Sequence, residues 1–192
     1  MTEPERELQR DRERTRRAIL EAAEQAVAQK GTKVSLAEIA ALAGVTKSGL
    51  LHHFRSRDAL VEALVVHTIQ RIWDEVLAHV DHDEDRPGAF TRGYVRALTG
   101  GSDYLARVFS PSGLLASLGA QEVAELSSPF EQDDARAWDE AFAADGLPPG
   151  RALAVRFAAD GLAVAAGTPY VSDEQLALAR EELLALTEVE PD

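Results

Sequence analysis

Between Lys47 and His53 the sequence KSGLLHH sets an ammonium, a hydroxyl, a bare backbone position and two imidazoles within seven residues. At helical spacing Leu50 points inward, with Phe54 one turn later. Thr46, Lys47, Ser48, Gly49, Leu51, His52 and His53 are then left on the open side. That set suits recognition of a nucleic-acid groove. Lys47 can meet a guanine edge or a phosphate, Ser48 can donate or accept, and Gly49 lets the backbone come close. The rest of the chain offers little reactive chemistry. It has no cysteine, hence no thiolate nucleophile, thiolate metal site or disulfide framework. No nucleophile–base pair and no Gly-rich phosphate loop is legible. His79, His82, Asp83 and Asp85 match no defined metal spacing and read as a solvated acidic loop. The expectation is a binding protein without a cofactor, not an enzyme.

Those residues need a frame that holds them outward. Ser35-Leu36-Ala37-Glu38 has the S-x-x-E form of a capping box, so a helix starts at Ser35. Leu36, Ile39, Ala40 and Ala43 give its apolar face, and Ala40 is small enough for a close crossing. Gly44 follows where a sharp turn requires positive φ. Val45 anchors the turn, and Thr46 is placed to cap the next helix. Before this lies a helix from about Glu13 to Lys30, striped by Ile19, Ala22, Ala23, Ala26 and Val27, with Gly31 expected as a left-handed cap. Arg14, Arg16 and Arg17 near its start could reach a phosphate or simply face water. Residues 1–13 are charged and read as an arm, mobile or a frayed extension of that helix. The layout as a whole is a helix-turn-helix whose second helix enters the major groove.

Charge is distributed to match. The chain carries a formal charge of −13. Residues 1–60 nevertheless hold 11 basic against 9 acidic side chains, and residues 61–192 hold 9 against 24. Lys30, Lys33, Lys47, Arg55 and Arg57 face a lone Glu38 between residues 30 and 57. The acidic remainder serves solubility and discourages phosphate contact away from the basic island. No apolar segment reads as a signal peptide or a membrane span, so the expected location is the cytoplasm and no membrane partner is expected.

The run Gly44-Val45-Thr46-Lys47-Ser48-Gly49-Leu50-Leu51-His52-His53-Phe54-Arg55-Ser56-Arg57-Asp58-Ala59-Leu60 resembles the DNA-binding signature of TetR-type transcriptional regulators. The resemblance spans residues about 14–60 without a gap. It implies that His53 and Arg57 meet phosphates and that Lys47, Ser48 and Gly49 lie where bases are read. Leu51 departs from the pattern, standing where the family usually has a phosphate-binding tyrosine, and Arg57 replaces the usual lysine. The candidate DNA-binding residues are Ser35, Thr46, Lys47, Ser48, Gly49, Leu51, His52, His53 and Arg57.

Ser56 is expected to cap a long helix running to about Val80, which in the resembled family transmits ligand binding to the DNA heads. The polar linker Asp81 to Gly88 ends it. Beyond, helices are expected near 88–99, 102–109, 112–120, 128–145, 149–167 and 173–187, broken at Pro87, Pro111, Pro129, Pro148-Pro149 and Pro169. The aromatics Trp73, Phe90, Tyr94, Tyr104, Phe109, Trp138 and Phe142, with His67, either pack the core or line a cavity. The candidate ligand-binding residues among them are His67, Trp73, Tyr94, Tyr104, Phe109 and Trp138. Arg92, Arg96 and Arg107 are either anchors for an acidic ligand or exposed.

The expected fold is all-α. A charged arm (1–13) precedes a three-helix DNA-binding domain (14–57) and a larger helical ligand-binding and dimerisation domain (58–192). The expected function is a ligand-responsive repressor that binds a palindromic double-stranded DNA operator as a homodimer through helices 149–167 and 173–187. A small-molecule effector of unknown identity would release it. The alternative is an all-helical dimeric scaffold with a degenerate DNA-binding head.

Overall fold

The computed structural model describes residues 2–110 and 121–188, and its regular elements there are helical, with no strand. Cα proximity divides these residues into two compact units. Residues 2–68 and 121–128 fall in the first, residues 69–110 and 129–188 in the second.

In the first unit, α1 (Glu3–Lys30) starts ten residues before the expected Glu13. The charged residues expected as an arm are therefore its opening turns, the extension alternative. The Thr2 N–H donates to the Glu5 carboxylate at 2.6 Å, and Pro4 fits the first turn because no intrahelical N–H is needed there. Only from Ile19 onward does α1 bury side chains: Ile19, Leu20, Ala22, Ala23 and Ala26. Gly31 has the expected positive φ of 70°, but ψ is −168°, an extended glycine conformation and not the left-handed helical cap. A short 3₁₀ turn, Gly31–Lys33, leads to α2 (Leu36–Leu42) and α3 (Lys47–His53). Ile19, Ile39, Ala40, Leu50, Phe54 and Leu60 close one core between them. Such burial stabilises by about 1.5–3 kcal/mol for each large side chain. Helix α4 (Arg57–Leu77) starts behind Ser56, whose Oγ accepts from the Ala59 N–H at 3.0 Å, as the sequence predicts.

The second unit takes the end of α4, then α5 (Ala89–Arg96), a wide π turn (Ala97–Gly101), α6 (Asp103–Val108), the end of α7 (Gln121–Ala144), α8 (Pro149–Ala165) and α9 (Asp173–Ala185). Its core is Val76, Tyr94, Val95, Leu98, Leu105, Trp138, Phe142, Val155, Ala159 and Leu183. The helix expected over 112–120 and the break at Pro111 lie outside the described residues. Helix α7 begins at Gln121, earlier than the expected 128, and runs through Pro129. A proline removes one N–H and strains the preceding turn but does not end a helix by itself.

Arg92 corrects the sequence reading. It is neither exposed nor free to anchor a ligand: it is only 2% exposed and fully engaged. Its Nε meets Glu84 at 3.0 Å, Nη1 donates to the Thr187 carbonyl at 3.1 Å, and Nη2 donates to the Pro87 carbonyl at 2.9 Å. The guanidinium thus pins the 81–88 linker to the turn that follows α9. Asp145, just past α7, caps α5 from a distance in sequence. Its carboxylate accepts from the N–H groups of Phe90 and Thr91 at 2.8 Å each and from the Thr91 hydroxyl at 2.6 Å.

Candidate nucleic-acid interface

The turn is built from local bonds. Ser35 Oγ accepts from the Glu38 N–H at 3.3 Å, while the Ser35 N–H donates back to the Glu38 carboxylate at 3.0 Å, completing the capping box. Lys30 reaches the other carboxylate oxygen at 2.7 Å. The Lys30 bond, then the backbone and hydroxyl of Ser35, hold the pKa of the Glu38 carboxyl at about 2. Gly44 adopts φ +69°, where a side chain would be strained, and the Val45 N–H donates to the Ala40 carbonyl at 2.9 Å. Thr46 Oγ1 accepts from the Gly49 N–H at 3.0 Å and caps α3 as expected. A Cβ on residue 49 would come within 3.2 Å of that same hydroxyl, so Gly49 also protects the cap.

Helix α3 then divides its faces. Leu50 is fully buried, and Phe54 just beyond the helix is 3% exposed. Lys47, Ser48, Leu51 and His52 are exposed and Gly49 is half-buried. Lys33, Lys47 and Arg55 make no ion pair among the described residues, whereas Lys30 is taken by Glu38. Arg57 is exposed, yet its Nη1 donates to the Val34 carbonyl at 2.7 Å, tying the start of α4 to the entry of α2. One guanidinium edge therefore serves the fold. His53 is half-buried, and its Nδ1 is buried without a hydrogen-bond partner. Burial first, then the charges of His52, Arg12 and Arg16, lower its pKa below the ordinary imidazole value. Both effects disfavour the charged ring. Leu51 is 37% exposed and Leu42, at the end of α2, is 51% exposed.

Arg16, expected either to reach a phosphate or to face water, has a partner that the sequence did not announce. Arg16 lies over the Phe54 ring, 4.7 Å from its centroid, so α1 presents cations beside the end of α3. A four-residue spacing, Arg12 to Arg16, was the available signal once helix is continued to the N-terminus.

This arrangement matches known proteins. The family model described as "Bacterial regulatory proteins, tetR family" fits residues 19–64, and "Tetracyclin repressor-like, C-terminal domain" fits residues 88–188, over half of the chain. The chain belongs to the TetR family. It is a DNA-binding transcriptional regulator with a helix-turn-helix. The HTH-type transcriptional regulator TtgR of Pseudomonas putida is 41% identical over 61 residues, covering 31% of this chain and only 29% of that protein. A crystallised transcriptional regulator from Rhodococcus sp. Rha1 shares the fold, with a TM-score of 0.68 at 19% identity, covering 90% of this chain and 95% of that one. The multidrug binding protein EbrR, crystallised with imidazole, aligns at 26% identity and a TM-score of 0.56 over 92% of each chain.

In the C-terminal unit of this TetR regulator the candidate ligand residues separate. Trp73 stacks on Trp138 at 3.7 Å, and Tyr94 stands edge-on to Trp138 at 5.4 Å. Both indole N–H groups donate to Asp134, at 2.8 and 3.1 Å. The Tyr94 hydroxyl donates to Asp160, and burial followed by that carboxylate raises the phenol's pKa. Tyr104 lies under the Arg71 guanidinium at 3.7 Å, and Phe109 packs against the same core as the tryptophans. His67 belongs to the first unit, half-buried on α4. Among the described residues no helix is long and apolar enough to cross a membrane.

Proposed function

We propose that this TetR regulator is a repressor: it binds a palindromic operator as a homodimer and lets go when a small-molecule effector occupies its C-terminal unit. The observation that carries the reading is the capped, two-faced α3, with Leu50 buried while Lys47, Ser48, Leu51 and His52 point to solvent. An exposed short helix with donors on one side is the form that reads base edges. In this reading Lys47, Ser48 and Gly49 face bases, Thr46 and Ser35 lie at the groove edge, and His52, His53 and Arg57 meet phosphates. The protein acts by binding, not by turnover.

Dimerisation through α8 and α9 is supported by what those helices leave uncovered. Leu153 (49%), Phe157 (62%) and Val164 (36%) share one face of α8, and Leu178 (61%) and Leu186 (41%) stand open on α9 and just past its end. A two-fold pairing of these helices would cover that surface and give the two heads that a palindrome requires. For the effector, the support is an aromatic cluster that includes Trp73 from α4 itself, the helix that starts beside α3. Whatever displaces Trp73 acts on α4. The similarity to a multidrug binding protein fits an organic effector.

The test is fluorescence anisotropy with the duplex upstream of the protein's own gene, against a scrambled duplex, over a range of salt. The expected result is sequence-preferring, salt-dependent binding by a dimer, weakened by Lys47→Ala and by Arg57→Ala. Indifference to both substitutions would favour the scaffold reading and end this one.

A further inference from the structure

Asp134 on α7 serves two aromatic rings at once. The indole N–H groups of Trp73 and Trp138 donate to its two oxygens, at 2.8 and 3.1 Å. Those rings lie nearly parallel, 15° apart in plane and 3.7 Å between centroids, with Phe90 about as far from one as from the other, at 6.1 and 6.0 Å. One carboxylate therefore fixes the direction of both indoles and stands at their shared edge. Trp138 is only 7% exposed, whereas Trp73, Phe90 and Asp134 are half-buried, so the stack is not sealed from solvent.

Both donors to this carboxylate are neutral. Asp134 makes no ion pair among the described residues. The arginines of the neighbouring sequence and helices are engaged elsewhere. Arg136 pairs with Asp133, Arg156 on α8 pairs with Asp139 at 2.8 Å, and Arg71 lies on the Tyr104 ring at 3.7 Å. A partly buried carboxylate that meets only neutral donors keeps its charge uncompensated, and a cation brought to it is correspondingly favoured. The rings supply the other half of the chemistry. An indole face attracts a cation more strongly than any other side-chain ring, and parallel rings offer a flat apolar platform for another flat ring. Residues 61–192, with 9 basic against 24 acidic side chains, add a field of the same sign.

We propose that this cluster is a site for a planar organic cation: an aromatic ring system with a charged nitrogen, stacked against the indoles of Trp73 and Trp138 with its charge beside Asp134. A neutral ring gains only the stacking, and an aromatic carboxylate is repelled. The inference rests on the reading of the aromatic cluster as the effector site and gives that site its charge class.

The test is isothermal titration calorimetry of the full-length protein at neutral pH with three two-ring probes of similar shape: N-methylquinolinium, quinoline, which is uncharged there, and naphthalene-2-carboxylate. The cation should bind about ten-fold tighter than quinoline, and the carboxylate more weakly than either. Asp134→Asn keeps an oxygen for one indole and removes the charge. It should cost the cation about ten-fold and leave quinoline unchanged. Asp133→Asn, which removes the exposed carboxylate paired with Arg136, should change neither. Wild type alone decides the charge class, so the outcome does not depend on how the variant folds. No binding of the cation, or equal or tighter binding of naphthalene-2-carboxylate, would overturn the proposal. Full cation preference retained in Asp134→Asn would overturn Asp134 as its anchor. Operator anisotropy with each probe separates this site from the broader reading. Cation binding that leaves operator affinity intact would remove effector release from this cluster and leave the site standing. Release by quinoline or the carboxylate without binding of the cation would do the reverse.

Discussion

Leu51 stands on the open face of α3 where the family pattern has a phosphate-binding tyrosine, and its exposure of 37% leaves room for a larger side chain. Leu51→Tyr restores one hydroxyl donor, worth about 1 kcal/mol. Operator affinity should therefore rise roughly five-fold, read by anisotropy; a large loss would mean that leucine itself is needed at the interface. Ser35 and Glu38 were legible as a pair because a capping box is a local device whose two partners lie three residues apart. Ser35→Ala should cost about 1 kcal/mol in a urea titration. Glu38 has its folded pKa depressed from 4.5 to about 2. Its contribution is therefore present above the unfolded value and lost as pH falls between those two values. The melting temperatures of wild type and Glu38→Gln should differ at neutral pH and converge as pH falls through that window. Arg57 shows the other side of residue-scale reading. Its resemblance implies a phosphate contact, but no pattern announces a bond to the Val34 carbonyl 23 positions away.

Elements were legible where capping and periodicity agree. Thr46, Ser56 and Gly44 mark α3, α4 and the turn, and each does so through bonds to residues within five positions. The start of α1 was not legible as helix or arm, because Glu3 to Arg17 has almost no apolar face and only the local capping and pairing of charged side chains favour the helix. Helix α5 was legible, but not what holds it: its cap is Asp145, more than 50 residues on, and its Arg92 is clamped by Glu84 and Thr187. Removing that guanidinium leaves the nearly buried Glu84 carboxylate without its Arg92 partner. Arg92→Ala should lower stability by about 3–5 kcal/mol, measured by urea denaturation, and Arg92→Lys should not rescue it, since a point charge cannot span the same fork of acceptors. Gly93 is a second such place. A Cβ there would sit 2.5 Å from Val80 Cγ2 and 2.9 Å from its Cα, so α5 and the turn that follows α4 touch backbone to backbone.

For the whole molecule, the exposed apolar faces of α8 and α9 carry the expectation of a dimer. Placing charge there, with Phe157→Glu and Leu178→Glu together, should convert a dimer to a monomer in sedimentation velocity. Operator affinity should fall on the order of 100-fold as the second head is lost, while the far-ultraviolet spectrum stays helical. The two tryptophans of the chain, Trp73 and Trp138, are the stacked pair, so intrinsic fluorescence reports on the proposed effector site in the same protein.

The sequence by itself determined the helical class, the turn at Gly44, the caps at Ser35, Thr46 and Ser56, and the side of α3 that faces out. These depend on propensity, periodicity and bonds spanning a few residues, all of which are written in linear order. Tertiary structure alone decided that Arg92 is a buried clamp and that Asp145 caps α5. It likewise decided that Arg16 lies on Phe54 and that Trp73 and Trp138 share Asp134. In each of these the partners are brought together by the packing of whole helices. A guanidinium, a carboxylate or an indole is compatible with water or with a buried partner, and the fold selects which.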